Sequence, residues 1–230
     1  MFKIKSRVYL KACFVILSIF MFGCASNNQT NNQKTLKKEG AFDYGEVKNG
    51  KYTNSYFGLQ IDIPKDWAVQ SKEQIELVRN LGKEVVAGDN EMMKAIIKAS
   101  EVNSATLLQV FQYELGTPVD YNSNFTIVVE NVKLFPAIKT GEDYLKNVSK
   151  LLRQSQVKYN HIDEEFEKVT FSGQEFYLMN TNVEYADKSI RQKYYSTILK
   201  GFSVGIVASY ITPEQEKELD NVMESLKFKN

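Results

Sequence analysis

Between Phe166 and Tyr210 the chain carries four apolar-alternating stretches joined by turns so short that successive strands must run antiparallel. The stretches are Phe166 to Phe171, Gln174 to Tyr185, Ser189 to Leu199 and Phe202 to Tyr210. Ser172-Gly173, Ala186-Asp187-Lys188 and Lys200-Gly201 separate them. A parallel pair would need a crossover of a dozen residues or more, and no such length is available here. Thirteen Tyr and 14 Phe suit such a region, because aromatic rings pack well on pleated faces.

The flanking segments add two kinds of element. Leu59, Ile61 and Ile63 alternate with Gln60 and Asp62, a half-buried strand that Pro64 ends, with Trp67 capping the core. Ala105 to Glu114 and Phe125 to Val132 read as two more strands around a loop of Gly116, Thr117, Pro118 and Asp120. Helices are signalled by their caps. Ser71 with Gln74 opens one carrying Ile75, Val78 and Leu81, and Gly82 and Gly88 interrupt it. Met92, Met93, Ile96 and Ile97 form a second apolar stripe. Thr140 opens a helix carrying Tyr144, Leu145, Val148, Leu151 and Leu152. Thr212, Pro213 and Gln215 open a last one that turns Leu219, Val222, Met223 and Leu226 inward. Strands without regular βαβ alternation predict an α+β fold: one domain over residues 51–230, an antiparallel sheet flanked by helices.

The N-terminal segment speaks of location. Lys3, Lys5, Arg7 and Lys11 precede Ala12 to Gly23, a run that is apolar or small apart from Ser18. A membrane-spanning helix needs about 20 such residues, so this run reads as the core of a signal peptide over residues 1–23. Met21-Phe22-Gly23-Cys24 resembles a bacterial lipobox. That resemblance implies that a diacylglyceryl group with palmitate-type chains is attached to Cys24 and that the chain is cut before it. The expected product is a lipoprotein held at the extracytoplasmic face of the cell membrane. Met21 and Phe22 differ from the Leu and small residue the pattern prefers, which leaves an ordinary secretory signal as the alternative. Two acyl chains anchor stably where one does not. After Cys24, the polar run of Asn, Gln, Ser and Thr predicts a disordered tether over residues 24–50, in which Phe42, Tyr44 and Val47 could start an early strand. Cys13 would leave with the signal, so no disulfide is expected.

Four of the 29 basic residues precede Cys24, which leaves the rest with three more acidic than basic groups. That balance, without a basic cluster, argues against a nucleic-acid partner.

"YFGLQIDIPKDW", Tyr56 to Trp67, and "MESLKF", Met223 to Phe228, resemble the opening and closing motifs of the PsbP-like family. The resemblance implies an antiparallel sheet with helices on both sides. That fold is shared by an extrinsic subunit of the photosynthetic oxygen-evolving complex, a nuclear-import factor that binds a small GTPase, and many bacterial lipoproteins. It also implies a role in docking or assembly and not in catalysis, and no family binding residue maps onto this chain.

Chemistry-bearing motifs are few. Gly201-Phe202-Ser203-Val204-Gly205 matches the G-x-S-x-G elbow of serine hydrolases, with Ser203 as nucleophile. The alternation around it is that of a strand, however, and the only histidine, His161, precedes the serine. His161 beside Asp163, Glu164 and Glu165 reads as a solvated acidic loop, since zinc and calcium sites need other ligand sets. No cofactor, metal site or catalytic residue is expected. The expected role is non-catalytic binding of a protein or cell-envelope component, with Met92, Met93, Thr117 and Tyr121 as candidate contacts. An envelope hydrolase using Ser203 and a small-molecule-binding lipoprotein are the alternatives.

Overall fold

The computed structural model describes residues 42–185 and 187–229. The signal peptide, Cys24 and most of the expected tether lie outside the described residues. Twelve strands and four helices are present among those described: β1 (Glu46–Lys48), β2 (Lys51–Asn54), β3 (Leu59–Asp62), β4 (Ala68–Val69), α1 (Lys72–Ala87), α2 (Glu91–Glu101), β5 (Ser104–Phe111), β6 (Asn124–Asn131), α3 (Gly141–Gln154), β7 (Tyr159–Ile162), β8 (Glu167–Phe171), β9 (Gln174–Tyr185), β10 (Lys188–Leu199), β11 (Phe202–Tyr210), α4 (Pro213–Glu224) and β12 (Lys227–Phe228).

The fold is α+β and all strand pairings are antiparallel. An eight-stranded sheet has the order β4-β5-β6-β11-β10-β9-β7, with β8 also on β9. The expected meander is its second half, β8 through β11. A second sheet, β1-β2-β3-β12, lies over one face of the first. This is an addition to the single helix-flanked sheet the sequence predicts. Its short strands carry little signal of their own, and β12 joins only by pairing Lys227 and Phe228 with Gln60 and Leu59 across most of the sequence.

The alternation of each strand decides which core it feeds. Phe125, Ile127 and Val129 of β6 meet Val204, Ile206 and Ala208 of β11, and on this face they pack against Tyr52, Leu59, Ile61 and Trp67 together with Leu219, Val222 and Met223 of α4. Val128 and Val207 point the other way, into a core closed by α3 and α2 through Tyr144, Leu145, Val148, Met93 and Ile97. Trp67 closes the first core as expected: its ring lies 6.2 Å from that of Phe125, and its Nε1 donates to Glu218 at 3.0 Å.

Helix starts follow the expected caps. Ser71/Gln74, Thr140/Asp143 and Thr212/Gln215 each form a reciprocal capping box. Gly88 takes φ +48 and ends α1, after which Asn90 caps α2. At the start of α3, a Cβ on Gly141 would lie 2.0 Å from the Ser196 carbonyl oxygen, so only glycine lets the helix press this closely on β10.

Two expectations are corrected. The folded part starts before Lys51: β1 pairs with β2, and Asp43 accepts hydrogen bonds from Gly45 N, Ser55 Oγ and Tyr56 N. Residues 42–50 therefore belong to the domain and not to the tether. The stretch around His161 is a loop only in part. His161 lies in β7 along β9 and Asp163 accepts from the backbone and side-chain nitrogens of Asn180, while Glu164 and Glu165 are exposed outside any strand, as expected. A four-residue strand with a register shift is too short to announce itself by periodicity.

Candidate binding grooves and the buried polar cluster

The open edge of the large sheet is made by a strand that stops early. β4 pairs only with Val110 and Phe111, and Gln70 N adds one bond to the Gln109 carbonyl. The outer edge of β5 from Ser104 to Leu108 has no strand partner among the described residues. A register shift between Thr106 and Leu108 bulges the strand there. β1 and α1 stand off this edge and enclose a groove of about 280 Å³, walled by Tyr44, Val47, Val69, Lys72 and Ile75 with the edge as its floor. A second groove of about 270 Å³ shares Tyr44, Ser104 and Ala105 with the first and runs on to Phe42, Val102 and Phe202. Phe42, Tyr44, Val47 and Val102 are all exposed, so both walls are apolar surface open to solvent.

The opposite edge of the sheet is built differently. β8 presents Glu167 and Lys168 to solvent, and Lys168 pairs with Glu175 at 2.9 Å. Charge of this kind blocks strand addition, and none of the β5 residues from Ser104 to Leu108 is charged.

Basic side chains rim the apolar walls. Lys72 Nζ lies 4.8 Å from the Tyr44 ring, Lys133 Nζ 5.3 Å from Phe202, and Lys200 Nζ 5.1 Å from Tyr56. Arg79, in the wall of the first groove, is tied to Glu76 and Glu101.

Glu130, on the α3 face of β6, is the charged-type residue the sequence reading missed. It is buried and pairs in register with Ser203 of β11 on one side and Ser104 of β5 on the other. Tyr144 Oη donates to its Oε2 at 2.8 Å. Burial pushes its carboxyl up to about 8, and the Tyr144 hydrogen bond only partly counters that. Burial and the neighbouring Glu130 push the Tyr144 phenol well above its ordinary value. The signal was present in the sequence: Glu130 stands two residues after Val128, on the inward-facing side of an alternating strand.

The residues singled out from the sequence fall in several places. Ser203 lies inside β11 and is 1% exposed, with its Oγ 3.2 Å from Ser196 Oγ. His161 sits on β7, three strands away in the order β11-β10-β9-β7, about 14 Å at the usual strand spacing. Its Nε2 contacts Asp163 Oδ1 at 2.7 Å. The sharp exposed turn a serine nucleophile needs is absent at Ser203, which corrects the hydrolase alternative. Met92 is exposed on α2, whereas Met93 is core. Thr117 is exposed, but Tyr121 turns inward, its hydroxyl against Ser209 Oγ, so it is not offered to a partner. None of these four residues lines either groove. Cys24 lies outside the described residues. Among the described residues no group of three or more His, Cys, Asp or Glu is arranged to hold a metal ion, and no helix is long and apolar enough to cross a membrane.

No family model matches the chain, and no curated protein matches it in sequence. Solved structures similar to it include the cyanobacterial PsbP (CyanoP) of Synechocystis sp. PCC 6803, at 14% identity over 84% of this chain and 98% of that one, with a TM-score of 0.44. LpqN of Mycobacterium tuberculosis, described as involved in cell envelope biogenesis, is similar at 12% identity over 75% of this chain and 83% of its own, with a TM-score of 0.41. A Bacteroides thetaiotaomicron VPI-5482 protein is similar at 12% identity over 80% of this chain, which spans half of that protein's length, with a TM-score of 0.43. At such identities and TM-scores, what this chain does has to be read from its own residues.

Proposed function

We propose that this chain is a lipoprotein, anchored through Cys24 at the extracytoplasmic face of the membrane, whose folded domain binds a protein or cell-envelope component without catalysing a reaction. The observation that carries the anchoring is the abrupt boundary at Gly23-Cys24, where twelve apolar or small residues give way to a polar run. Binding is supported by the uncharged β5 edge, which can accept an extended segment as an added strand, main chain to main chain, with apolar walls to receive its side chains. Tethering would raise the local concentration of this surface for partners in the envelope. The burial of Ser203 within a strand supports a non-catalytic reading.

Metabolic labelling with palmitate, followed by fractionation, tests the anchor. The wild type incorporates label and partitions with membranes, and Cys24→Ala does neither. Label in Cys24→Ala, or none in the wild type, refutes it. A photo-crosslinker at Ala105 tests the edge, with one discrete adduct expected that a Thr106→Pro variant weakens. A fluorophosphonate probe is expected to leave the wild type unlabelled, and labelling abolished by Ser203→Ala would restore the hydrolase.

A further inference from the structure

Strand registers gather one set of exposed residues at a single end of the large sheet. The β10–β11 turn, Lys200-Gly201, lies at this end, and the Val132 amide donates to the Gly201 carbonyl at 3.0 Å, which brings Lys133 and Leu134 beside it. The Asn131 amide donates to the Asn103 carbonyl at 2.8 Å, which adds Val102. Lys200 Nζ donates to the Tyr56 carbonyl, which adds the β2–β3 turn. Phe42 and Tyr44 complete the set through the groove they share with Val102 and Phe202. Val102 and Leu134 are each 84% exposed, with nothing covering them among the described residues. Two large aliphatic side chains at two turn tips, surrounded by half-exposed aromatic rings and capped by lysines, form an amphipathic tip.

We infer that this end docks onto an anionic lipid surface, Val102 and Leu134 entering the acyl boundary while Lys133 and Lys200 meet the headgroups. The inference rests on the lipid anchoring proposed above and adds an orientation to it. Charge complementarity supports this occupant. Lys133 and Lys200 are exposed at the tip beside one carboxylate, Asp43, which is taken up by Gly45, Ser55 and Tyr56, and Lys34, Lys37 and Lys38 stand just ahead of Phe42 in the sequence against one acidic residue, Glu39. The opposite end of the sheet carries Glu114, Asp120, Glu184 and Asp187 against Lys188, which pairs with Asp120 at 3.3 Å. A chain that from Cys24 onward has an excess of acidic groups thus offers an anionic membrane its more basic end. Chain length supports it too. The described residues begin at Phe42, within the tip, and Cys24 lies eighteen positions before it, a reach of at most about 60 Å. Aromatic rings and lysine stems suit the interfacial zone, where one part of the side chain is apolar and the other wet. Gly201 matters locally: with φ +79, a Cβ there would lie 2.6 Å from Lys133 Cγ, so glycine lets the Lys133 stem lie across the turn.

The test uses the full lipidated protein, taken from membranes in detergent and reconstituted into vesicles of phosphatidylcholine with or without phosphatidylglycerol. The acylated Cys24 leaves no thiol in the processed chain, so Leu134→Cys, Val102→Cys and Thr117→Cys can each carry one environment-sensitive fluorophore. Brominated lipids are expected to quench the labels at 134 and 102 several-fold more than the label at 117, which lies at the opposite end. Lys133→Glu/Lys200→Glu and high salt should remove the phosphatidylglycerol-dependent part. Protein that floats with vesicles but is quenched equally at all three sites, or at none, overturns the docking and leaves the anchor standing. Labels at 134 that quench one another as protein density rises, without lipid quenching, assign the tip to a second copy of the chain and overturn it as well. Protein that fails to float overturns the anchor, and the docking with it.

Discussion

Single residues carry consequences out of proportion to their size where they are buried without room or with charge. Glu130 holds its proton far more tightly folded than unfolded, at about 8 against an ordinary 4.5. Between those values folding takes up a proton, so stability falls as pH rises from 4.5 to 8 and the full penalty is present above 8. The effect is of the order of several kcal/mol, at about 1.4 kcal/mol per pH unit. Glu130→Gln keeps the shape and the Tyr144 contact but cannot ionise. Urea midpoints are expected to agree with the wild type near pH 4.5 and to exceed it progressively toward pH 9; parallel curves would show that Glu130 does not titrate in this range. Gly141 is the steric counterpart. Gly141→Ala forces a Cβ into the Ser196 carbonyl, and a loss of about 1–3 kcal/mol is expected from chemical denaturation.

At the scale of elements, α4 is held by its cap and by a charged strap. Tyr210 Oη donates to Glu216 at 2.6 Å, while Lys193 Nζ reaches Glu216 at 3.0 Å and Asp220 at 2.7 Å. Burial pushes the Glu216 carboxyl up, but the hydrogen bonds from Tyr210 and Lys193 and the nearby cations outweigh it and hold the group below its usual value. Of Glu214, Glu216 and Glu218, only Glu214 is plain surface, since Glu216 belongs to the strap and Glu218 receives the Trp67 indole. Thr212→Ala removes the acceptor of the Gln215 amide and should cost about 1 kcal/mol, seen as a fall in Tm of a few degrees. No change in Tm would mean that the strap alone holds the helix. The same logic made helices easy to read: a cap is a contact between residues three apart, and all four helices start where a Ser, Thr or Asn invites it.

For the whole molecule, stability is graded from the centre of the large sheet outward. β6, β11 and β10 are paired on both sides, β6 and β11 are buried on both faces and β10 over its middle, whereas β1 is exposed along its length and β8 along much of it. Amide hydrogen exchange should therefore be slowest in β6, β10 and β11 and fastest in β1 and β8. Uniform protection would contradict this layering. Local pattern was enough for the meander, the helix caps and the antiparallel α+β class, because each depends on residues within a few positions of one another. Only the tertiary structure decided that a second sheet packs Leu59 and Ile61 against the large one, that Glu130, Tyr144 and Ser203 share one buried cluster, and that Phe42, Val102 and Leu134 gather at one end. Those are meetings between segments far apart in the chain. Which strands become neighbours is set by how the whole core is best buried, and no local period encodes that.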